Sequence, residues 1–112
     1  MKTLKQLIDD NIKKLRQNGF TIHIIKLSIK ELLQFKQEIL QDNPFVDAVS
    51  NNHYMGIFIT DKYAIAPMGK TVEESGFYCS FLFIDYGFAE IQTKYFTFKN
   101  LDQFKLLEEL KQ

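Results

Sequence analysis

Several residue types are scarce in this chain, and each scarcity narrows what the protein can be. Its 112 residues contain one cysteine, two prolines, five glycines and no tryptophan. A single Cys79 cannot form a disulfide within the chain, which is typical of proteins from a reducing compartment. Asp9 and Asp10 interrupt any apolar run near the start, so no signal peptide is predicted and we expect a cytoplasmic protein.

An excess of charge is missing as well. Lysine and arginine total 14, aspartate and glutamate total 14, and the formal net charge is +0. Direct binding to nucleic acid needs a net basic footprint, so it is not expected. No apolar run approaches the ~20 residues of a membrane-spanning helix, so no membrane partner is expected. With 46% hydrophobic and 25% charged residues, the composition predicts a single folded domain over residues 1–112.

Signatures of catalysis and of cofactor binding are also missing. The chain has no Gly-x-Ser-x-Gly, Walker or Gly-x-Gly-x-x-Gly motif. Cys79 lies among alternating phenylalanines, which favours a small buried side chain over a nucleophile. His23 is predicted to pack within a strand and His53 to be solvated, and two histidines with one cysteine barely suffice for zinc. We therefore predict a non-enzymatic protein with no catalytic residue, cofactor or metal.

Aromatic residues, in contrast, are abundant, and they concentrate between Gly76 and Phe98. Aromatic and β-branched residues favour strands, so this stretch predicts a hairpin that turns at Asp85-Tyr86-Gly87-Phe88. Alternation along its first strand leaves apolar side chains on both faces: Phe77, Phe81 and Phe83 on one, Tyr78, Leu82, Ile84 and Tyr86 on the other. Either helices cover both faces, or one face is an open patch for a partner protein or a second copy.

Three helices are predicted around this hairpin. Thr3 with Gln6 and Ser28 with Glu31 have the capping-box spacing, and they begin helices over residues 3–18 and 28–41. Asn100 begins a third helix over 100–111. The second helix is expected to present Ile29, Leu32, Leu33, Ile39 and Leu40 as its apolar face, with Phe35 lying off that face.

The remaining segments predict strands. Residues 20–27 have apolar side chains on both faces, as an inner strand does. Residues 54–60 and 63–66 form further strands, 68–75 a polar loop, and 43–53 either a short helical turn or a strand followed by a loop. The expected fold class is α+β, with a largely antiparallel four- to five-stranded sheet and three flanking helices, in the order α-β-α-β-β-β-β-α.

The tip of the main hairpin is the candidate binding site. Tyr86 and Phe88 are large and apolar where a plain turn uses Asn, Asp, Ser or Gly, and exposed aromatics often anchor interfaces. Asp85 and Glu90 would form an acidic rim that steers the approach to a basic surface. In the competing interpretation, Tyr86 and Phe88 fold back and complete the core.

These observations favour a non-enzymatic, protein-binding inhibitor. A small anti-defence protein of a phage or mobile element, of the anti-CRISPR kind, would act by blocking a nucleic-acid-handling protein. One alternative is an immunity protein that neutralises a bacterial toxin. Another is a small-molecule-binding domain or small enzyme with an aromatic pocket, and a structural homodimer subunit also remains open.

Overall fold

Two helices and seven strands make up the part of the chain that the structure describes. The computed structural model describes residues 3–42, 53–62, 64–65, 70–71 and 74–98. The elements are α1 (Leu4–Gln17), β1 (Thr21–Lys26), α2 (Ile29–Asp42), β2 (His53–Tyr54), β3 (Ile57–Thr60), β4 (Ala64–Ile65), β5 (Lys70–Thr71), β6 (Gly76–Asp85) and β7 (Phe88–Thr97).

The main sheet has five strands in the order β2-β3-β1-β6-β7, and β4 and β5 form a separate pair. Strand β1 lies in the middle, as its two apolar faces predict. It is parallel to β3 and antiparallel to β6, so the sheet is mixed. The predicted, largely antiparallel sheet needs this correction because α2 lies between β1 and β3 in the chain. A helical crossover lets the chain return in the same direction, whereas a tight hairpin reverses it.

Side-chain caps begin both helices, as the sequence predicts. The Thr3 hydroxyl accepts from the backbone N–H of Gln6, whose side chain accepts from the backbone N–H of Thr3. Ser28 and Glu31 form the same reciprocal pair at the start of α2. The structure thus shows two of the three predicted helices, since residues 100–111 lie outside the described residues.

The core forms between the two helices and one face of the sheet. Phe77, Cys79 and Phe81 of β6 are at most 4% exposed and belong to this core. The ring of Phe20 meets those of Phe81 and Phe96 edge to face, with centroids 5.5 and 5.0 Å apart. This geometry suits the aromatic quadrupole, and it fixes the inner half of the main hairpin against the helices.

Helix α2 buries only part of the face that its sequence predicts: Ile39 is 4% exposed and Leu32 packs against the core, as expected. Phe35 is fully buried and its ring meets that of Tyr54 edge to face, with centroids 4.9 Å apart. Ile29, Leu33 and Leu40, which were expected in the core, are 65%, 59% and 51% exposed. Two apolar stripes run along this helix. The buried stripe is the one that carries Phe35, which packs against Tyr54 of the sheet.

A tight turn divides the strand that was predicted over 54–60. Met55 and Gly56 have φ angles of 52° and 78°, and they connect β2 to β3. Positive φ at both central residues is the type I′ conformation, which matches the twist of a two-residue hairpin. Of the other predicted segments, Ala64–Ile65 is a strand, Lys70–Thr71 is a strand within the expected loop, and residues 43–52 lie outside the described residues.

Candidate partner-binding surface

The main hairpin extends well beyond the strand that supports it. β6 and β7 pair over ten residues each, from Gly76 opposite Thr97 to Asp85 opposite Phe88, so the predicted hairpin is confirmed. Strand β1 accompanies β6 only as far as Ser80, which lies opposite Thr21. We call residues 82–91 the arm, because this part of the hairpin has no neighbouring strand among the described residues.

The arm exposes large apolar side chains on every side. Leu82 is 52% exposed, Ile84 65%, Tyr86 95%, Phe88 79% and Ile91 73%. The interpretation in which Tyr86 and Phe88 fold back onto the core is therefore wrong. Apolar side chains scattered singly over a surface need no explanation, but several on one projecting element indicate an interaction site.

The turn at the tip holds an unfavourable residue. Tyr86 has a φ of 47° and Gly87 a φ of 83°, so both central residues of the turn have the left-handed conformation. Glycine adopts this conformation without strain, and Asn and Asp tolerate it, whereas a bulky side chain is an outlier. Strain of this kind collects at functional sites, and here it places a fully solvated aromatic ring at the end of the molecule.

The pairing register assigns the arm's side chains to two faces. Leu82 lies opposite Ile91 and Ile84 opposite Ala89, which makes one face apolar. The second face combines aromatic rings with carboxylates, because its pairs are Phe83 with Glu90 and Asp85 with Phe88. Three of the four candidate residues, Asp85, Phe88 and Glu90, thus share the second face, and Tyr86 adjoins them in the turn.

The apolar face of the arm continues across the rest of the sheet. A row of directly opposed residues crosses all five strands on the side away from the core: His53, Phe58, Ile24, Tyr78 and Tyr95. Phe58 in this row is 39% exposed, and its ring packs against that of His53 at a centroid distance of 5.5 Å. Both described helices contribute to the core on the opposite side. We call this side the open face.

A bulge in β1 places a histidine against a serine on the open face. The register shifts between Ile22 and Ile24, and the extra residue, His23, is exposed rather than packed as predicted. Its Nε2 atom lies 2.6 Å from Oγ of Ser80. A serine beside a histidine can become a nucleophile when a third group orients the base and a cleft holds the substrate. This pair lies on an exposed strand surface and among the described residues has no third group, so we assign it a structural role.

Cys79 is unsuited to covalent chemistry. Its side chain is fully buried, and burial raises the pKa of the thiol from 9.0 to about 12. The thiolate is the reactive form of cysteine, and it is scarce at neutral pH when the pKa is so high. Within the described part of the chain, no three His, Cys, Asp or Glu side chains lie together as metal ligands would.

A cleft of about 570 Å³ lies between α1 and the turn after β2. Ile12 and Tyr54 are its buried lining residues, and Lys13 and Arg16 are exposed cations at its rim. The Tyr54 hydroxyl donates to Asp9 Oδ1 at 2.6 Å, and the Arg16 guanidinium donates to the Met55 carbonyl at 3.0 Å. The volume lies within the range of small-molecule sites.

Comparison with known proteins adds no functional information. No family model, curated protein or solved structure matches the chain. Neither helix in the described residues is long and apolar enough to span a membrane. The arm, the open face and the cleft are therefore the features that bear on function.

Part of this surface is predictable from the sequence. The tip residues are, and so is the assignment of Leu82 and Ile84 to one face. The His23–Ser80 contact is not, because a bulge leaves no alternation signal. Ile91 is absent from the prediction, although counting outward from a turn at 85–88 places that residue opposite Leu82.

Proposed function

We propose that the protein is a non-enzymatic binding module that inserts its arm into a partner protein. The observation that carries this proposal is the exposure of Tyr86 and Phe88, at 95% and 79%, on a hairpin that outreaches its sheet. A rigid ribbon presents its side chains with little loss of conformational freedom on binding. Large aromatic side chains at the end of such a ribbon are of the type that dominates interface energetics.

The charge of the arm defines the kind of partner. Asp85 and Glu90 are its acidic residues, and residues 82–91 contain no lysine or arginine. Acidic groups beside an apolar anchor favour a partner that surrounds a hydrophobic pocket with basic side chains. Proteins that bind nucleic acids have basic working surfaces, so a cytoplasmic inhibitor of such a protein fits this chemistry. An anti-defence protein of a phage or mobile element is the form of this proposal that we favour.

The proposal is tested by capture with paired variants. Wild-type protein, Tyr86→Ala/Phe88→Ala and Ile29→Ala/Leu33→Ala are immobilised and exposed to lysate from the native host. The second variant is the matched control, since it removes two apolar side chains of α2 that are also more than half exposed. We expect a protein that the wild type and the control retain and the tip variant loses. With that protein purified, each tip truncation should weaken binding by about 2 kcal/mol, or roughly 30-fold.

Stability measurements make the result interpretable. All three proteins should unfold within a few degrees of one another, because none of the substituted side chains belongs to the core. A tip variant that unfolds, or that stays folded and retains the same protein, would contradict the proposal. Blocked nucleic-acid binding by the captured protein would support the inhibitor, whereas a captured toxin would indicate an immunity protein.

The cleft beside α1 supports a second candidate function, the binding of a small molecule. Its apolar wall suits a hydrophobic body, and Lys13 and Arg16 suit an anionic group. The probe is naphthalene-1-sulfonate, titrated while the backbone NMR shifts are recorded. Saturable shifts at Ile12 and Tyr54 that Lys13→Glu weakens would support this candidate. Shifts spread over the open face, or none at all, would exclude it.

A further inference from the structure

The outer edge of β7 is a second surface without a described neighbour. β7 is the last strand of the main sheet. A long, exposed edge strand invites pairing with another chain, and proteins commonly protect such edges with charged side chains. Within Phe88–Thr97 the charged residues are Glu90 and Lys94, one acid and one base four positions apart. Their spacing decides which pairing this edge favours.

The turn determines which backbone groups point outward. Asp85 and Phe88 flank a two-residue turn, and such flanking residues exchange hydrogen bonds with each other. Along an antiparallel pair of strands, opposed residues that exchange backbone hydrogen bonds alternate with opposed residues that do not. Glu90, Gln92 and Lys94 therefore direct their backbone N–H and C=O groups toward β6. Those of Ile91 and Thr93 point to the outer edge.

We propose that this edge pairs with the same edge of a second copy, antiparallel and with the two-fold axis at Gln92. Ile91 of each copy then lies opposite Thr93 of the other, and the outward backbone groups of these residues form four hydrogen bonds. Glu90 of each copy lies opposite Lys94 of the other. These charged residues occupy positions without backbone bonding between the copies, where opposed side chains come closest.

Other two-fold registers lack this complementarity. An axis at Glu90 places two carboxylates against each other, and an axis at Lys94 does the same with two ammonium groups. An axis at Ile91 or Thr93 leaves both charges opposite uncharged residues. Like charges directly opposed across strands are destabilising, so the charge pattern selects the register at Gln92.

The resulting dimer joins two five-stranded sheets into one. The contact is centred on five residues from each copy, Glu90–Lys94. Because one strand of each copy forms it, the association is weak and belongs with the smallest protein interfaces. Tyr86 lies in the turn, outside the paired strand, whereas Glu90 of the arm takes part in the contact. The dimer therefore presents two turns to a partner, and its formation does not depend on whether the arm binds one.

Charge reversal tests the register directly. Sedimentation velocity is measured for the full chain from micromolar to millimolar concentration. We expect reversible dimers whose dissociation constant rises at least tenfold in Glu90→Lys and in Lys94→Glu, because each change creates two like-charge contacts. The double variant Glu90→Lys/Lys94→Glu should return to within about threefold of wild type, since both contacts are attractive again.

Mixing the single variants gives a second readout. In a complex of Glu90→Lys with Lys94→Glu, both contacts join opposite charges, so the mixture should dimerise at concentrations at which each variant alone is mostly monomeric. Thermal midpoints show that each variant is folded. A wild-type protein that stays monomeric at millimolar concentration would overturn the proposal, and so would reversals without effect or a double variant that fails to recover. The Tyr86→Ala variant should dimerise as wild type does, even if the arm proves to bind no partner.

Discussion

The inner half of the main hairpin and the arm are both rich in apolar residues, but the environments of those residues are opposite. In the inner half, Phe77, Cys79 and Phe81 are at most 4% exposed. In the arm, Ile84 and Phe88 are 65% and 79% exposed, although they are equally apolar. Hydrophobic composition alone therefore does not decide burial in this protein.

The difference follows from the length of one neighbouring strand. β1 begins at Thr21, opposite Ser80, and the core ends shortly beyond that point, where Phe81 is buried and Phe83 is only partly buried. Beyond Phe83 the hairpin has apolar side chains but, among the described residues, no layer to bury them against. The inner half thus contributes to folding, and the arm is available for binding.

The strongest test of this contrast compares two phenylalanines of the same hairpin. Phe77→Ala should lower the free energy of unfolding by about 3–5 kcal/mol, because it leaves a cavity in the core. Phe88→Ala should change it by less than about 0.5 kcal/mol, as surface substitutions do. Urea denaturation followed by circular dichroism measures both. Similar losses in the two variants would contradict the division of the hairpin.

A second prediction uses the thiol of the inner half. The pKa of Cys79 is raised from 9.0 to about 12. Above pH 9 the thiol therefore ionises more readily in the unfolded chain than in the folded protein. The stabilising contribution of Cys79 is complete below pH 9 and declines as the pH rises toward 12. The decline has a limiting slope of about 1.4 kcal/mol per pH unit. Cys79→Ala, which should cost about 1 kcal/mol at pH 7, removes this dependence. The stability difference between wild type and variant should therefore shrink between pH 9 and 10.

Thiol labelling extends that comparison to the arm. Native wild-type protein should react with a maleimide only on unfolding, whereas Ile84→Cys in the Cys79→Ala background should react at once. The new thiol would replace a side chain that is 65% exposed. Fast labelling of native Cys79 would mean that the inner half is open to solvent.

A third prediction concerns the base of the hairpin. Burial alone would raise the pKa of Glu31, but hydrogen bonds from Ser75 and Ser28 and the charge of Lys26 lower it overall. Its stabilising effect is thus present above the ordinary pKa of 4.5 and is lost as the pH falls through the lowered value. Because the carboxylate is partly solvated, Glu31→Gln should cost only about 0.5–1 kcal/mol at pH 7. Denaturation at pH 7 and pH 3 should show the deficit shrinking in acid.

The smallest expected effect lies at the tip. Tyr86→Asn should stabilise the protein by about 0.5 kcal/mol, because Asn tolerates the left-handed conformation of this turn. Tyr86→Phe is the control, since it retains the strain. A destabilised Asn variant would show that the tyrosine ring has contacts that hold it in place.

Local signals in the sequence predicted local structure well. The capping pairs at Thr3 and Ser28 and the turn at Tyr86-Gly87 were identified, because each depends on a few adjacent residues. The sequence also assigned Tyr86 and Phe88 to the tip, but it left open whether they are exposed or fold back onto the core. Only the structure shows that they are exposed.

Features that depend on distant residues were not predictable. Which stripe of α2 is buried depends on Tyr54, which packs against Phe35 from another element. The parallel pairing of β1 with β3 depends on where the chain returns after α2. Met55 in a positive-φ turn gives no sequence signal, since methionine is not a turn residue.

The early end of β1 also has a consequence for how the protein can evolve. Arm residues contribute little to the core, so selection for a stable fold leaves them free to vary. A lineage that must follow a changing partner could replace Ile84 or Phe88 without first acquiring compensating substitutions elsewhere. Recognition could then diversify rapidly on a scaffold that stays constant, much as it does in loops supported by a rigid framework.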